Sequence, residues 1–284
     1  NLIVELVVWI TVLCSQLFPT HVDFNTMNHN IGFRFFGSES SQTGSSISGI
    51  GDVDGDGIND FAIASPFADS FMGSGPGAGI VFVIYGSSNF SNTFQSDFDL
   101  TTLQNFKSVG RVIDGALQNT GIGTSVCGAG DFDKDGFDDI IIGSMNDNSN
   151  VGSVFIIFGS PRSTVVTPLF VNNLNSTTGI KIIGQVTNDY FGSGVGSGDF
   201  NNDGFSDILI GAYQADSQNG AAYVIFGHTG AWPTPILASD VGGSVLGVRF
   251  LGSTLSFSGW SVGNAGDFNK DGYSDIVISG HLGS

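Results

Sequence analysis

The sequence predicts an all-β fold assembled from repeated four-stranded antiparallel units, and three observations carry that expectation. Glycine accounts for 43 of 284 residues, well above the usual share of roughly 7%. Phenylalanine alone counts 25 while charged residues make up 12%, and no segment keeps the apolar period of a long amphipathic helix. Finally, one acidic pattern occurs four times, as DVDGDGIND from Asp52, DFDKDGFDD from Asp131, DFNNDGFSD from Asp199 and DFNKDGYSD from Asp267.

The starting aspartates are spaced 79, 68 and 68 residues apart, and recurrence at a near-fixed period marks a repeat architecture. Other positions recur in step. Ser46, Ser125, Ser193 and Ser261 stand six residues before the first aspartate, and Gly51, Gly130, Gly198 and Gly266 stand immediately before it. Ile63, Ile142, Ile210 and Ile278 stand eleven residues after it.

Each element of a unit follows in order. The Ser-containing segment is a first strand, and the acidic stretch turns the chain. FAIAS, DIIIGS, DILIGA and DIVISG then form a buried second strand, and GIVFVIYG, GSVFIIFG and GAAYVIFG a third in the first three copies. VGRVIDG, GIKIIG and VLGVRFLG complete those units. Four-stranded antiparallel units in series are the blades of a β-propeller. The expected units are 39–115, 116–185, 186–253 and a partial blade at 254–284, with 1–38 a partial blade or a signal segment.

Residues 2–13, LIVELVVWITVL, admit both of those readings. As a strand, Trp9 aligns with Tyr85, because Asp23-Phe24-Asn25-Thr26-Met27 matches Asp99-Leu100-Thr101-Thr102-Leu103. As a signal segment, it is interrupted by Glu5 and lacks a preceding basic residue. It is too short to span a bilayer, which takes about 20 apolar residues.

The acidic stretches point to a hard cation. Fifteen of the 26 acidic residues are aspartates inside them. Ca²⁺ takes about six to eight oxygen ligands, and alternate residues of a tight loop converge. The candidate ligands in the first loop are Asp52, Asp54, Asp56, Asp60 and the Ile58 carbonyl. In the second they are Asp131, Asp133, Asp135, Asp139 and the Phe137 carbonyl. The third offers Asp199, Asn201, Asp203, Asp207 and the Phe205 carbonyl, and the fourth Asp267, Asn269, Asp271, Asp275 and the Tyr273 carbonyl. Gly57, Gly136, Gly204 and Gly272 free the backbone at position 6. Without a cation, carboxylates about 4 Å apart repel by roughly 1 kcal/mol per pair in water and about 4 kcal/mol at an effective dielectric near 20.

An EF-hand requires Glu at position 12 of the loop, where all four copies carry Ile. Mg²⁺ prefers to keep its waters, and zinc or copper would need Cys or His ligands. The expectation is about four structural calcium ions pinning the hairpins, an arrangement with no bistable element for a calcium sensor.

The pattern Gly-x-Ser-x-x-x-x-Gly-Asp-x-Asp/Asn-x-Asp-Gly-x-x-Asp, followed by an Ile-rich strand and Gly-x-x-Tyr/Phe-x-Ile-Phe/Tyr-Gly, resembles the FG-GAP repeat. That repeat builds the β-propeller of integrin α subunits and related secreted propellers. Phe191-Gly192 keeps the first name-giving pair, while Ala64-Ser65-Pro66 stands in place of Gly-Ala-Pro. The resemblance implies a seven-bladed ring of which this chain is a fragment, an extracellular or cell-surface location, and a role in adhesion. It implies a protein or glycan ligand on the face opposite the calcium loops, and a β-like subunit as partner. That face would include connections 66–78, 145–151 and 213–219, with Phe71, Met72 and Tyr213 as contact candidates. The alternative is an accessory propeller of a secreted lipid- or carbohydrate-acting hydrolase whose catalytic domain lies elsewhere.

Other classes fit poorly. Eight Lys and Arg against 26 acids give a formal net charge of −18, which disfavours nucleic acid and anionic membrane surfaces. Gly259-Trp260-Ser261-Val262-Gly263 matches a nucleophile elbow, but Ser261 is already a member of the repeated serine series. Gly73 to Gly79 lacks the Lys of a phosphate loop, and His21, His29, His228 and His281 share no spacing. No enzyme is expected. Cys14 and Cys127 form no framework, and sequons stand at Asn89 and Asn175.

Overall fold

The structure is a computed structural model that describes residues 6–8, 33–71, 73, 75–88, 97–105 and 107–281. Most of 2–13 including Trp9, the segment 23–27, Met72 and the Asn89 sequon lie outside the described residues.

Strands β1 (Leu6–Val8) and β2 (Phe33–Phe36) precede the first acidic loop. The first unit contains β3 (Ser46–Gly51), β4 (Asp60–Ser65), β5 (Ile80–Ile84), β6 (Asp97–Asp99) and β7 (Gly110–Asp114). The second contains β8 (Ser125–Gly130), β9 (Asp139–Ser144), β10 (Ser153–Ile157), β11 (Leu169–Phe170) and β12 (Gly179–Ile183). In the third, β13 (Phe191–Gly198), β14 (Asp207–Ala212), β15 (Ala221–Ile225), β16 (Ile236–Leu237) and β17 (Gly247–Leu251) recur in the same order. Then come β18 (Val262–Gly266) and β19 (Asp275–Ile278).

The long strands pair antiparallel as the repeat predicts, β3-β4-β5-β7, β8-β9-β10-β12 and β13-β14-β15-β17, with β18-β19 beside them. These are β-propeller blades. Leu6, Val7 and Val8 pair with Phe35, Arg34 and Phe33, so this part of 2–13 is strand.

The short strands do something the repeat alone does not announce. In each unit the link between the third and fourth long strands reaches back and adds a parallel strand to the preceding sheet. Thus β6 pairs with β2, β11 with β7 and β16 with β12. The outer edges at β2, β7 and β12 are thereby covered by the following unit, which removes an exposed row of backbone groups there, while β17 closes the third sheet without such a partner among the described residues.

The sheets stack face to face, and this explains the unbroken apolar runs. In the second sheet Ile140, Ile142, Phe155 and Ile157 pack toward Ala62, Val81, Val83 and Ile113 of the first. Their neighbours Ile141, Val154, Ile156 and Ile182 pack toward Ile208, Ile210, Tyr223 and Ile225 of the third. A strand buried on both faces cannot alternate apolar with polar. The repeated serines join neighbouring sheets: Ser125 Oγ donates to Gly192 O and Ser193 Oγ to Gly259 O, both at 3.0 Å, and Ser46 Oγ accepts from Val126 N at 3.0 Å. Ser261 stands just before β18 in a β-hairpin, with Ser279 Oγ on its backbone N–H at 3.0 Å. It is not on a strand-to-helix turn.

Candidate metal centres

Every acidic loop joins the first and second strands of its sheet, β3 to β4, β8 to β9, β13 to β14 and β18 to β19. A register shift just before each of three loops, between Gly49 and Gly51, Gly128 and Gly130, and Asn264 and Gly266, bends the strand into the turn. All four loops then use their carboxylates alike. The position 1 aspartate accepts from the position 6 N–H, in Gly57–Asp52 at 2.7 Å, Gly136–Asp131 at 3.2 Å, Gly204–Asp199 at 2.9 Å and Gly272–Asp267 at 3.1 Å. The position 7 N–H donates to the position 5 carboxylate, from Ile58, Phe137, Phe205 and Tyr273 at 2.8 to 3.0 Å.

Position 9 is the buried anchor. Asp60, Asp139 and Asp207 each accept from a loop N–H, those of Val53, Phe132 and Phe200, at 2.7 to 3.0 Å. Each also accepts from a glycine N–H beyond the third strand, Gly86, Gly159 and Gly227, at 2.7 to 2.9 Å. These glycines also have no room for a side chain. An added Cβ would lie 2.5 Å from Asn59 O at Gly86, 2.5 Å from Asp138 O at Gly159 and closer still to Ser206 O at Gly227, which accounts for the glycine that follows the third strand of each of these units. Sequence reasoning saw that recurrence and not its partner.

The structure brings Asp52, Asp54 and Asp60 together, one oxygen of each within 4.8 Å of the others, and does the same for Asp131, Asp133 and Asp139. Asp56 and Asp135 stand outside these triads. The third and fourth loops place Asn201 and Asn269 at position 3, with their amides 2.8 Å from Asp203 and 2.9 Å from Asp271.

Burial pushes Asp139 up to about 8, Asp60 to about 7 and Asp207 to about 6, and nearby aspartates push the same way. Burial also raises Asp133. A carboxyl raised in the folded state favours folding below its ordinary range, and that contribution is lost as pH climbs through the raised value. Ionising these carboxyls near neutral pH therefore costs free energy, a cost that a bound cation would offset. Asp131 Oδ1 in the second loop is buried with no hydrogen-bond partner among the described residues. A converging set of carboxylate oxygens with one orphaned atom fits a hard divalent cation.

Neighbouring loops are also coupled. Asp138 Oδ2 accepts from Asp52 N at 2.8 Å, and Asp138 N donates to Asp52 O at 3.0 Å. Buried Arg111 of β7 lies between the first two loops and donates to Phe158 O at 3.4 and 3.5 Å. Arg162, from the connection after β10, pairs with Asp54 and with Asp56 at 2.6 Å. Neither arginine carries a repeat signal in the sequence.

Strands β4, β9 and β14 run from the acidic loops to connections 66–78, 145–151 and 213–219, which puts those connections at the opposite end of the sheets. Phe71 packs inward against the first unit's core, its N–H on Asp114 Oδ2 at 2.8 Å. Tyr213 stacks on Tyr190 at 5.1 Å and meets the edge of Trp260 at 4.6 Å.

The family model for the FG-GAP repeat matches residues 43–84, 122–157 and 191–225, the segments that carry the first three loops. The chain is 28% identical to integrin alpha-5 of Xenopus laevis over 76% of its length and 20% of that protein. It is 29% identical to integrin alpha-4 of Xenopus laevis over 78% of its length and 18% of that protein. A shorter stretch, 31% of the chain and 7% of the relative, is 37% identical to integrin alpha-6 of Homo sapiens. The chain thus spans about a fifth of the length of the first two relatives. No helix among the described residues is long and apolar enough to cross a membrane. Repeated blades, acidic hairpins and these matches agree: the chain carries FG-GAP repeats in its first three units and is similar to integrin alpha subunits.

Proposed function

We infer that the chain is part of an extracellular β-propeller that recognises a protein or glycan partner, with calcium held in its four acidic hairpins as structural staples. The observation that carries the reading is the recurrence of one carboxylate geometry at the same place in successive blades. A catalytic centre needs its groups once, whereas a staple is useful in every blade. Four units at 39–115, 116–185, 186–253 and 254–284 would each hold one ion. Millimolar calcium, as found outside cells, would keep such sites filled and stabilise the fold by mass action.

The likeness to integrin alpha subunits supports an adhesive role and a β-like partner subunit. Staples at one end leave the connections at the other end free to vary, and variable loops on a rigid scaffold are where recognition resides. The experiment is binding of the biotinylated chain to extracellular-matrix glycoproteins and to a glycan array, in calcium and in chelator. Retention that requires calcium and falls at least tenfold in Tyr213→Ala with unchanged melting is expected. Binding indifferent to both changes would contradict the reading.

A further inference from the structure

The first loop differs from the other three by one visiting side chain. Arg162 lies five residues beyond β10, in the second unit, yet its guanidinium sits on the first unit's loop. Nε pairs with Asp54 Oδ2, and Nη2 donates to Asp56 Oδ2 at 2.6 Å and to Gly86 O at 3.2 Å. The ring of Tyr85 lies 4.8 Å beneath the guanidinium carbon. The backbone brings the side chain there, because Ser160 N donates to Val53 O inside the loop at 2.9 Å.

Among the described residues the other loops lack such a visitor to their carboxylates; Lys134 Nζ reaches the third loop, but over the Phe205 ring at 5.3 Å. Among the described residues Arg162 makes the only ion pairs to any of the four acidic stretches. The third unit carries Gly230 at the matching position, and the second loop is covered instead by Trp232, stacked on Phe132 at 4.8 Å. In a chain with eight Lys and Arg, one of them is spent on two of the first loop's four carboxylates.

We propose that Arg162 is a tethered cation that occupies the first loop, making it the weakest calcium site of the four and a calcium-sensitive joint between the first two blades. The inference rests on the acidic loops being calcium sites. Asp54 and Asp56 are candidate ligands, and each is engaged while the guanidinium is in place. Calcium enters in full coordination only when Arg162 leaves, so the apparent affinity falls by the fraction of molecules in which the loop is free. Arginine stays charged at every accessible pH, so proton loss does not release it. Calcium itself is the competitor, and its entry frees the Arg162 side chain from the neighbouring blade while the Ser160–Val53 backbone bond stays in place. Low calcium then fills the second, third and fourth loops, and higher calcium remodels the joint at the first.

The test titrates the metal-free full chain and Arg162→Ala with Ca²⁺ by calorimetry, and melts both proteins with and without the ion. The wild type is expected to show one site about tenfold weaker than the rest, a factor worth about 1.4 kcal/mol. In Arg162→Ala that site joins the tight class, and adding Asp52→Asn removes it again. In chelator the variant melts below the wild type, because buried Asp54 has lost its counter-charge. In saturating calcium the two coincide. An unchanged isotherm with equal losses of melting temperature in both conditions would make Arg162 a plain structural ion pair and overturn the proposal alone. Absence of calcium binding in either protein would overturn it together with the reading on which it rests.

Discussion

Asp139→Ala should destabilise the protein by about 2–4 kcal/mol and abolish one cation site. The carboxylate is completely buried at the start of β9, where Oδ1 accepts from Gly159 N at 2.8 Å and Oδ2 from Phe132 N at 2.9 Å. Truncation leaves both N–H groups without a partner, each costing about 1–3 kcal/mol. Removing an acid whose burial already disfavours its charge returns part of that loss. The matching Asp275→Ala is the control. Asp275 also accepts from a loop N–H, Phe268 N at 2.8 Å, but its hairpin is solvent-facing, so water replaces the bond. Chemical unfolding in chelator should show the midpoint shift for Asp139→Ala and less than half of it for Asp275→Ala. Equal shifts would deny that burial sets the anchor's weight.

Gly159→Ala should cost about 2–3 kcal/mol, at the upper end of the range for forcing extra volume into a packed interior. An added Cβ would lie 2.5 Å from Asp138 O, 2.6 Å from Phe137 Cβ and 3.0 Å from Val53 O. Two of those atoms are backbone carbonyls from successive acidic loops, so no rotamer change relieves the contact. The displaced backbone is also the one that presents Gly159 N to Asp139 and Ser160 N to Val53. Gly136→Ala separates crowding from backbone strain. Gly136 has φ +97° and open space around it, so its substitution costs only the left-handed penalty of about 1–2 kcal/mol. Calorimetric melting of the two variants should rank Gly159→Ala as the more damaging. The reverse order would contradict the packing described.

Much of this architecture was legible because it repeats. One copy of D-x-D-x-D-G has several readings, but four copies in step with a serine, a glycine and an isoleucine leave few. DIIIGS and GSVFIIFG are readable as strands because sheets packed on both faces demand unbroken β-branched and aromatic runs, and both lie where expected, in Asp139–Ser144 and Ser153–Ile157.

The illegible features are those that cross from one unit to the next. Strands β11 and β16 are two residues each, too short for any period. Their role comes from the neighbouring sheet's edge. Arg162 is 106 residues from Asp56 in sequence, and Asp138 is 86 from Asp52, separations at which spacing carries no information. Phe71 shows the same limit from the other side. An aromatic residue in a connection suits recognition or packing equally by sequence, and its contacts with the first unit's core decide for packing.

The central claim is that the acidic hairpins are calcium staples. The most direct measurement is thermal unfolding of the purified chain in millimolar Ca²⁺ and in excess chelator, with bound calcium counted on the same sample. The account predicts close to four ions per chain at saturation, one for each acidic stretch. It also predicts a melting temperature at least 10 °C higher with calcium, since site occupancy at about 100 times Kd stabilises by roughly 2.7 kcal/mol per ion. Coincident melting curves with no retained calcium would contradict it.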